Sequence, residues 1–217
     1  MPGSKRFLTV FFAITCLLGV SAKAVEFESV YSGETPVQES DLAISETRKG
    51  GGGKVTQDGG RLRLEVPAGA NHFFNVEGGP GLSYNGATES GTTIDFSLTV
   101  QGTDATQAGF AIRVGTGEGS WSLSFFPDEI RIGSRSISHA VREGDTYRLA
   151  FQNGKMSVYS ERKGELATEI QAEKKYGENR LSFGTRGSIE VVSPVSWELG
   201  FIRWTNKGAT FAPPSEK

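Results

Sequence analysis

The chain has 217 residues and a formal charge of −2 at pH 7, with 29 glycines, two histidines and one cysteine. That balance supplies no electrostatic reason to bind nucleic acid or anionic lipid. A single cysteine excludes an internal disulfide framework, and two histidines are too few for a histidine-rich metal centre.

Lys5 and Arg6 open the chain with positive charge, residues 7–20 are apolar without a charge, and Ala22-Lys23-Ala24 puts small residues at −3 and −1 of a cleavage site. Residues 1–24 are therefore expected to be a signal peptide of a kind compatible with a bacterial source. The apolar run of about 14 residues is shorter than the ~20 that a spanning helix needs. Export predicts a secreted, periplasmic or cell-envelope protein with no membrane attachment after cleavage. Cleavage before Val25 removes Cys16, Lys5, Arg6 and Lys23, leaving a charge of −5 and no cysteine at all. About 190 residues then suffice for one core without disulfides.

Residues 25–31 read as a first strand with Val25, Phe27 and Val30 turned inward. Residues 32–60, with Pro36 and the run Gly50-Gly51-Gly52-Gly53, read as an irregular loop, with residues 41–48 as a candidate helical turn. Arg61–Val66 alternates Leu62, Leu64 and Val66 with Arg61, Arg63 and Glu65, and residues 72–77 form the next strand. After a glycine-rich stretch to Gly91, Thr92–Gln101 sets Ile94, Phe96, Leu98 and Val100 against Asp95, Ser97, Thr99 and Gln101. Further strands are expected at 108–114, 120–126, 129–133, 136–141, 146–152, 155–160, 165–171, 180–185, 188–192 and 195–205. Residues 169–176 are a second candidate helical turn. Asn153-Gly154 is a hairpin signal, because a type I′ turn needs positive φ at both central positions. Strands at this spacing describe an all-β sandwich with residues 25–210 as one domain and 211–217 as an unstructured tail.

The stretch Tyr147-Arg148-Leu149-Ala150-Phe151-Gln152-Asn153-Gly154-Lys155-Met156-Ser157-Val158-Tyr159 resembles a hairpin of concanavalin A-like lectin/glucanase domains, laminin-G-like modules included. Leu181-Ser182-Phe183-Gly184 and the strand from Trp197 to Trp204 resemble the closing strands of those jelly rolls. The likeness covers residues 91–206. It implies a jelly-roll sandwich of two antiparallel sheets, one concave, with sugars often bound there or at the rim loops.

Glucanases of that family carry two or three carboxylates on one strand in an E-x-D-x-x-E type pattern. Retaining hydrolysis needs two carboxyls ~5 Å apart. Here Glu26-Phe27-Glu28, Glu143-Gly144-Asp145 and Asp128-Glu129 are the nearest approaches, and none has that pattern. No catalytic residue is assigned. Some family members bind calcium through loop carboxylates, but Asp104, Asp128 and Asp145 are isolated, so no cofactor is assigned either. Gly115-Thr116-Gly117-Glu118-Gly119 joins two strands rather than opening a helix, so it is a turn and not a phosphate loop.

Aromatic rings remain, because they offer flat faces to the C–H faces of sugars. The candidates are Phe73, Phe74, Tyr84, Trp121, Phe126, Tyr147, Trp197 and Trp204. A ring on an otherwise polar strand face is the one to single out. Phe126 falls with Ser122 and Ser124, and strict alternation sets Trp204 opposite Trp197. His72, beside Phe73-Phe74, and Arg131 complete the expected ligand-binding set of Phe126, Trp204, His72 and Arg131, with Arg113 as a further charged partner. The reading is an exported lectin-like module for glycan or polysaccharide. The alternatives are a polysaccharide hydrolase or lyase of the same architecture, and an envelope or adhesive domain that binds protein.

Overall fold

Alternation along the chain becomes two antiparallel sheets stacked on one core in a computed structural model that describes residues 24–76, 90–101, 109–117, 119–173, 179–186 and 194–215. The strands in chain order are β1 (Ser29–Ser32), β2 (Ile44–Lys49), β3 (Lys54–Asp58), β4 (Arg61–Val66), β5 (Asn71–Val76), β6 (Thr92–Gln101), β7 (Phe110–Thr116) and β8 (Gly119–Phe125). They continue as β9 (Glu129–Ile132), β10 (Arg135–Ser138), β11 (Asp145–Gln152), β12 (Lys155–Ser160), β13 (Gly164–Gln171), β14 (Arg180–Arg186) and β15 (Val195–Thr205). An eight-stranded sheet runs β13-β12-β11-β6-β15-β4-β3, with β1 also on β15, and a seven-stranded sheet runs β10-β9-β8-β7-β14-β5-β2. This is a concanavalin A-like jelly-roll sandwich, as the resemblance implied.

The apolar sets of both sheets meet between them. Ile94, Phe96, Leu98, Val100, Leu149, Phe151 and Val158 are all buried, as the alternation predicts. Phe96 lies 5.4 Å from Phe125 of the facing sheet and 5.6 Å from Tyr147 beside it, centroid to centroid. Two tryptophans tie the layers with their polar edges. Trp121 donates to the Ile170 carbonyl at 3.1 Å, and Trp197 donates to Thr185 Oγ1 at 2.6 Å, each crossing from one sheet to the other. A buried indole N–H needs such a partner. The β11–β12 hairpin turns on Asn153 (φ 52°) and Gly154 (φ 68°), the signature its sequence carries.

Four expectations are corrected. Residues 32–60 are not one loop: β2 and β3 form there, on different sheets, and the glycine turn between them carries the chain across. Of the residues 41–48 expected as a helical turn, 44–48 pair as strand, because Ile44 packs on the core edge. Residues 169–171 lie in β13, not a helix. The first strand begins at Ser29 and Val30 faces out, 53% exposed, while Tyr31 is buried and donates to the Thr35 carbonyl at 3.1 Å. The larger ring takes the inner position. The strand expected at 188–192 lies outside the described residues.

Residues 206–215 are docked on the sheet. Thr93 Oγ1 donates to the Gly208 carbonyl at 2.8 Å and accepts the Thr210 N–H at 2.9 Å. Arg148 donates to the carbonyls of Ala212 and Pro213 at 3.2 and 3.3 Å. Residues 206–215 thus form a strap on the outer face of the eight-stranded sheet. The tail expected at 211–217 is ordered as far as it is described, because it satisfies buried polar groups of β6 and β11.

Candidate functional site

The outer face of the seven-stranded sheet carries the sequence's unspent polar and aromatic side chains. One cross-strand row reads Thr47, Phe73, Gly184, Ala111, Ser124, Arg131, Ser136 from β2 to β10. The neighbouring row reads Ser45, Asn75, Ser182, Arg113, Ser122. Strands lie ~4.8 Å apart, so Phe73 and Arg131 stand about 19 Å apart along the first row. Between them the row holds only Gly184, Ala111 and Ser124, a lane of small residues that the Arg113 side chain crosses on its way to Phe73.

Each end of the lane holds an aromatic ring under a guanidinium. Arg131 sits over Phe126 at 4.4 Å from ring centroid to Cζ. Arg113 sits over Phe73 at 5.2 Å, reaching across β14 where Gly184 has no side chain to obstruct it. Gly184 is required there for a second reason. A Cβ on it would come within 2.2 Å of the His72 carbonyl oxygen, at φ 152°. Glu129 pairs with Arg131 and accepts from Ser136 Oγ. The Ser136 bond and the Arg131 charge hold the Glu129 carboxyl below its ordinary range, so it is an anion that orients Arg131.

Phe126 and Arg131 are therefore together, on the face expected for them. Phe126 is 6% exposed, because Arg131 covers it. Trp204 and His72 are elsewhere, and both are corrected. Leu199 pairs with Leu98 but Phe201 with Ser97, a bulge at Gly200 that puts one extra residue into β15. Every later residue changes face. Trp204, 1% exposed, joins Trp197 inside, while Phe201 and Arg203 turn out. His72 follows the phase set by Phe74 and Val76 and is fully buried. Its Nδ1 accepts the Gly53 N–H at 3.1 Å, and its Nε2 lies 3.2 Å from Glu46 Oε2, so it is a neutral imidazole that pins the glycine turn. Burial and the Arg48 charge keep its pKa low, against the opposing pull of Glu46.

Phe73 and Arg113 were in view in the sequence as single residues. What ranks them is the row that Gly184 opens between them, which no local pattern shows. Tyr84 lies outside the described residues.

Four of the carboxylates weighed for catalysis face a basic side chain, Glu129 with Arg131 among them. Glu28 meets Lys207 at 3.2 Å, Glu143 meets Arg61 at 3.2 Å, and Asp145 meets Arg162 at 2.8 Å. Such pairing closes turns and strand ends. Among the described residues, no group of three or more His, Cys, Asp or Glu side chains could hold a metal ion.

No family model matches the chain, and no curated protein matches it. Solved structures do match in fold. A structure described as native glycosidic hydrolase aligns at TM-score 0.58 with 10% identity, over 86% of this chain and 100% of that one. A structure of botulinum neurotoxin type C, described for cell entry through two ganglioside molecules, aligns at 0.56 with 13% identity, over 78% of this chain. The carbohydrate recognition domain of Emp46p, in a potassium-bound form, aligns at 0.51 with 13% identity, over 76% of this chain and 89% of that one. This chain spans 44% of the length of the toxin chain it matches. These neighbours include carbohydrate-binding domains and a hydrolase, and the likeness is one of fold.

Proposed function

We propose that this protein is an exported, lectin-like module that binds glycan or polysaccharide on the outer face of its seven-stranded sheet, without cleaving it. The observation that carries this reading is the lane of Gly184, Ala111 and Ser124, bounded by the Phe73–Arg113 and Phe126–Arg131 pairs. A floor of small residues lets a sugar chain lie close to the sheet. The guanidinium groups and serines give its hydroxyls charged donors and neutral partners. The charge-free segment 7–20 and the Ala-Lys-Ala sequence support export. The carboxylates set against basic groups favour binding over glycosidic cleavage.

The test is a glycan array followed by titration of the best ligand into Phe73→Ala, Arg131→Ala and Arg131→Lys. Phe73→Ala and Arg131→Ala are expected to weaken binding tenfold or more, with thermal unfolding nearly unchanged. Arg131→Lys keeps charge but loses the planar stack, and should fall between. Binding that ignores both alanine variants removes the face from consideration. Reducing-sugar release from the same samples would replace the module with a hydrolase.

A further inference from the structure

On the opposite side of the sandwich, a cleft of about 380 Å³ opens beside the strap, lined by the β11–β12 hairpin, β13 and Phe211. We propose that this cleft is a second saccharide site, holding one neutral sugar ring against Phe211. It rests on observations separate from those of the seven-stranded sheet.

The first is the placement of Phe211. Its neighbours are both fixed on the sheet: the Thr210 N–H is held by Thr93, and the Ala212 carbonyl by Arg148. The residue between two inward anchors is turned outward, and Phe211 is 48% exposed. Among the described residues, only Val30 is another large apolar side chain so exposed. A half-exposed ring carried on anchored backbone offers a stacking surface.

The second is Glu169. Met156 pairs with Ile170 and Val158 with Ala167, so Thr168 and Glu169 together oppose Ser157. This bulge puts Glu169 at φ 51°, left-handed backbone that a non-glycine residue rarely adopts. Strain of this kind recurs where a side chain has been re-aimed for function. Here it brings the Glu169 carboxylate within 3.0 Å of Lys155 Nζ across the cleft wall.

The lining then sets the ligand class. Lys155 and Glu169 cancel in charge, which disfavours acidic and basic ligands alike. Gln152 and Asn153 supply amides that both donate and accept, and Thr168 adds a hydroxyl. Tyr159 also lines the cleft but is buried, and one exposed ring among balanced donors and acceptors matches an uncharged, hydroxyl-rich ring with one apolar face. With the other face occupied as well, one molecule would bridge two glycan chains.

The experiment is ¹⁵N–¹H NMR of the intact protein titrated with a panel of neutral disaccharides: cellobiose, maltose, lactose, mannobiose and xylobiose. At least one should shift the side-chain amides of Gln152 and Asn153 and the backbone amides of Gly154 and Lys155. Phe211→Ala should weaken that response tenfold or more, and Phe211→Tyr should retain it. Glu169→Gly keeps the left-handed backbone without strain and removes the side chain with its carboxylate, so it should also weaken the response. The Thr210 amide reports whether the strap stays docked in each variant. If no disaccharide moves the 152–155 signals, or if Phe211→Ala responds like the parent, the proposal is overturned. Shifts confined to Phe73, Ser124 and Arg131 would overturn it while leaving the opposite face intact, and loss of those alone would do the reverse.

Discussion

Arg148 grips Asp95 through two parallel hydrogen bonds of 2.7 and 2.8 Å, with both side chains buried beneath the strap of residues 206–215. Arg203 approaches the same carboxylate at 3.4 Å. The remaining donor of Arg148 goes to the strap's carbonyls. One guanidinium therefore neutralises Asp95 and fastens the strap.

Arg148→Ala would leave a buried carboxylate short of its main partner and should cost ~3–5 kcal/mol. It should also free the strap, so carboxypeptidase would trim the variant faster than the parent. Replacing both partners, Asp95→Leu with Arg148→Met, should cost less than Arg148→Ala alone. Urea unfolding of the three proteins checks this. A cost below ~1 kcal/mol for Arg148→Ala would mean that the strap is not docked in solution.

Phe96→Ala should lower stability by ~3–5 kcal/mol, because its ring stands between the sheets against Phe125 and Tyr147 and its removal leaves a cavity. Chemical denaturation measures it. A value under ~1 kcal/mol would place Phe96 outside the core.

Stability should fall on acidification below about pH 6.5, the ordinary histidine value. Burial, then Arg48 for His72 and Lys163 and Arg162 for His139, keep both folded pKa values below it, outweighing Glu46 and Asp145. The unfolded chain takes up protons near 6.5 and the folded one does not. The stability is thus complete above 6.5 and lost as pH drops towards the folded values. Thermal unfolding at pH 7.5 and pH 5 checks the sign, and His72→Gln should flatten the slope. A rise in Tm on acidification across that window would contradict it.

Deleting Gly200 should remove the bulge and leave Leu199 opposite Leu98 and Phe201 opposite Ser97, so that Trp204 and Ile202 stay buried in a regular strand. The variant is expected to fold with Trp204 buried, whereas Trp204→Arg, which puts an unpaired charge into the core, is expected to unfold or aggregate on expression. Limited proteolysis separates the two.

Export predicts Val25 as the first residue of protein recovered outside the producing cells. N-terminal sequencing decides it, and an intact Met1 in the membrane fraction would be the contrary result.

Much of the fold was legible because burial imposes period two on each strand. Thr92–Gln101, Arg61–Val66, Lys155–Ser160 and Val195–Thr205 have the bounds their alternation predicts. The Asn153-Gly154 turn was legible because its backbone needs a residue pair that few other turns favour. Two strands inside residues 32–60 were not legible. β2 and β3 are half-exposed edge strands, so neither needed a continuous apolar face to declare itself.

The site divides in the same way. Phe126 lies on the face that its neighbours Ser122 and Ser124 mark, and only the β8–β9 pairing brings Arg131 over its ring and buries it. The face of Trp204 was not legible, because a bulge is one residue of extra backbone and carries no composition of its own. His72 was decided by Phe74 and Val76, whose burial outweighs the polarity of an imidazole that can satisfy itself on Gly53 and Glu46. By itself the sequence determined the strand pattern, the inner residues of each regular strand and the sandwich class, all of which follow from local alternation. Tertiary structure alone decided the face of Trp204, the lane between Phe73 and Arg131, and the strap that presents Phe211. Those depend on register between strands distant in the chain, and register is set by the whole core rather than by any segment.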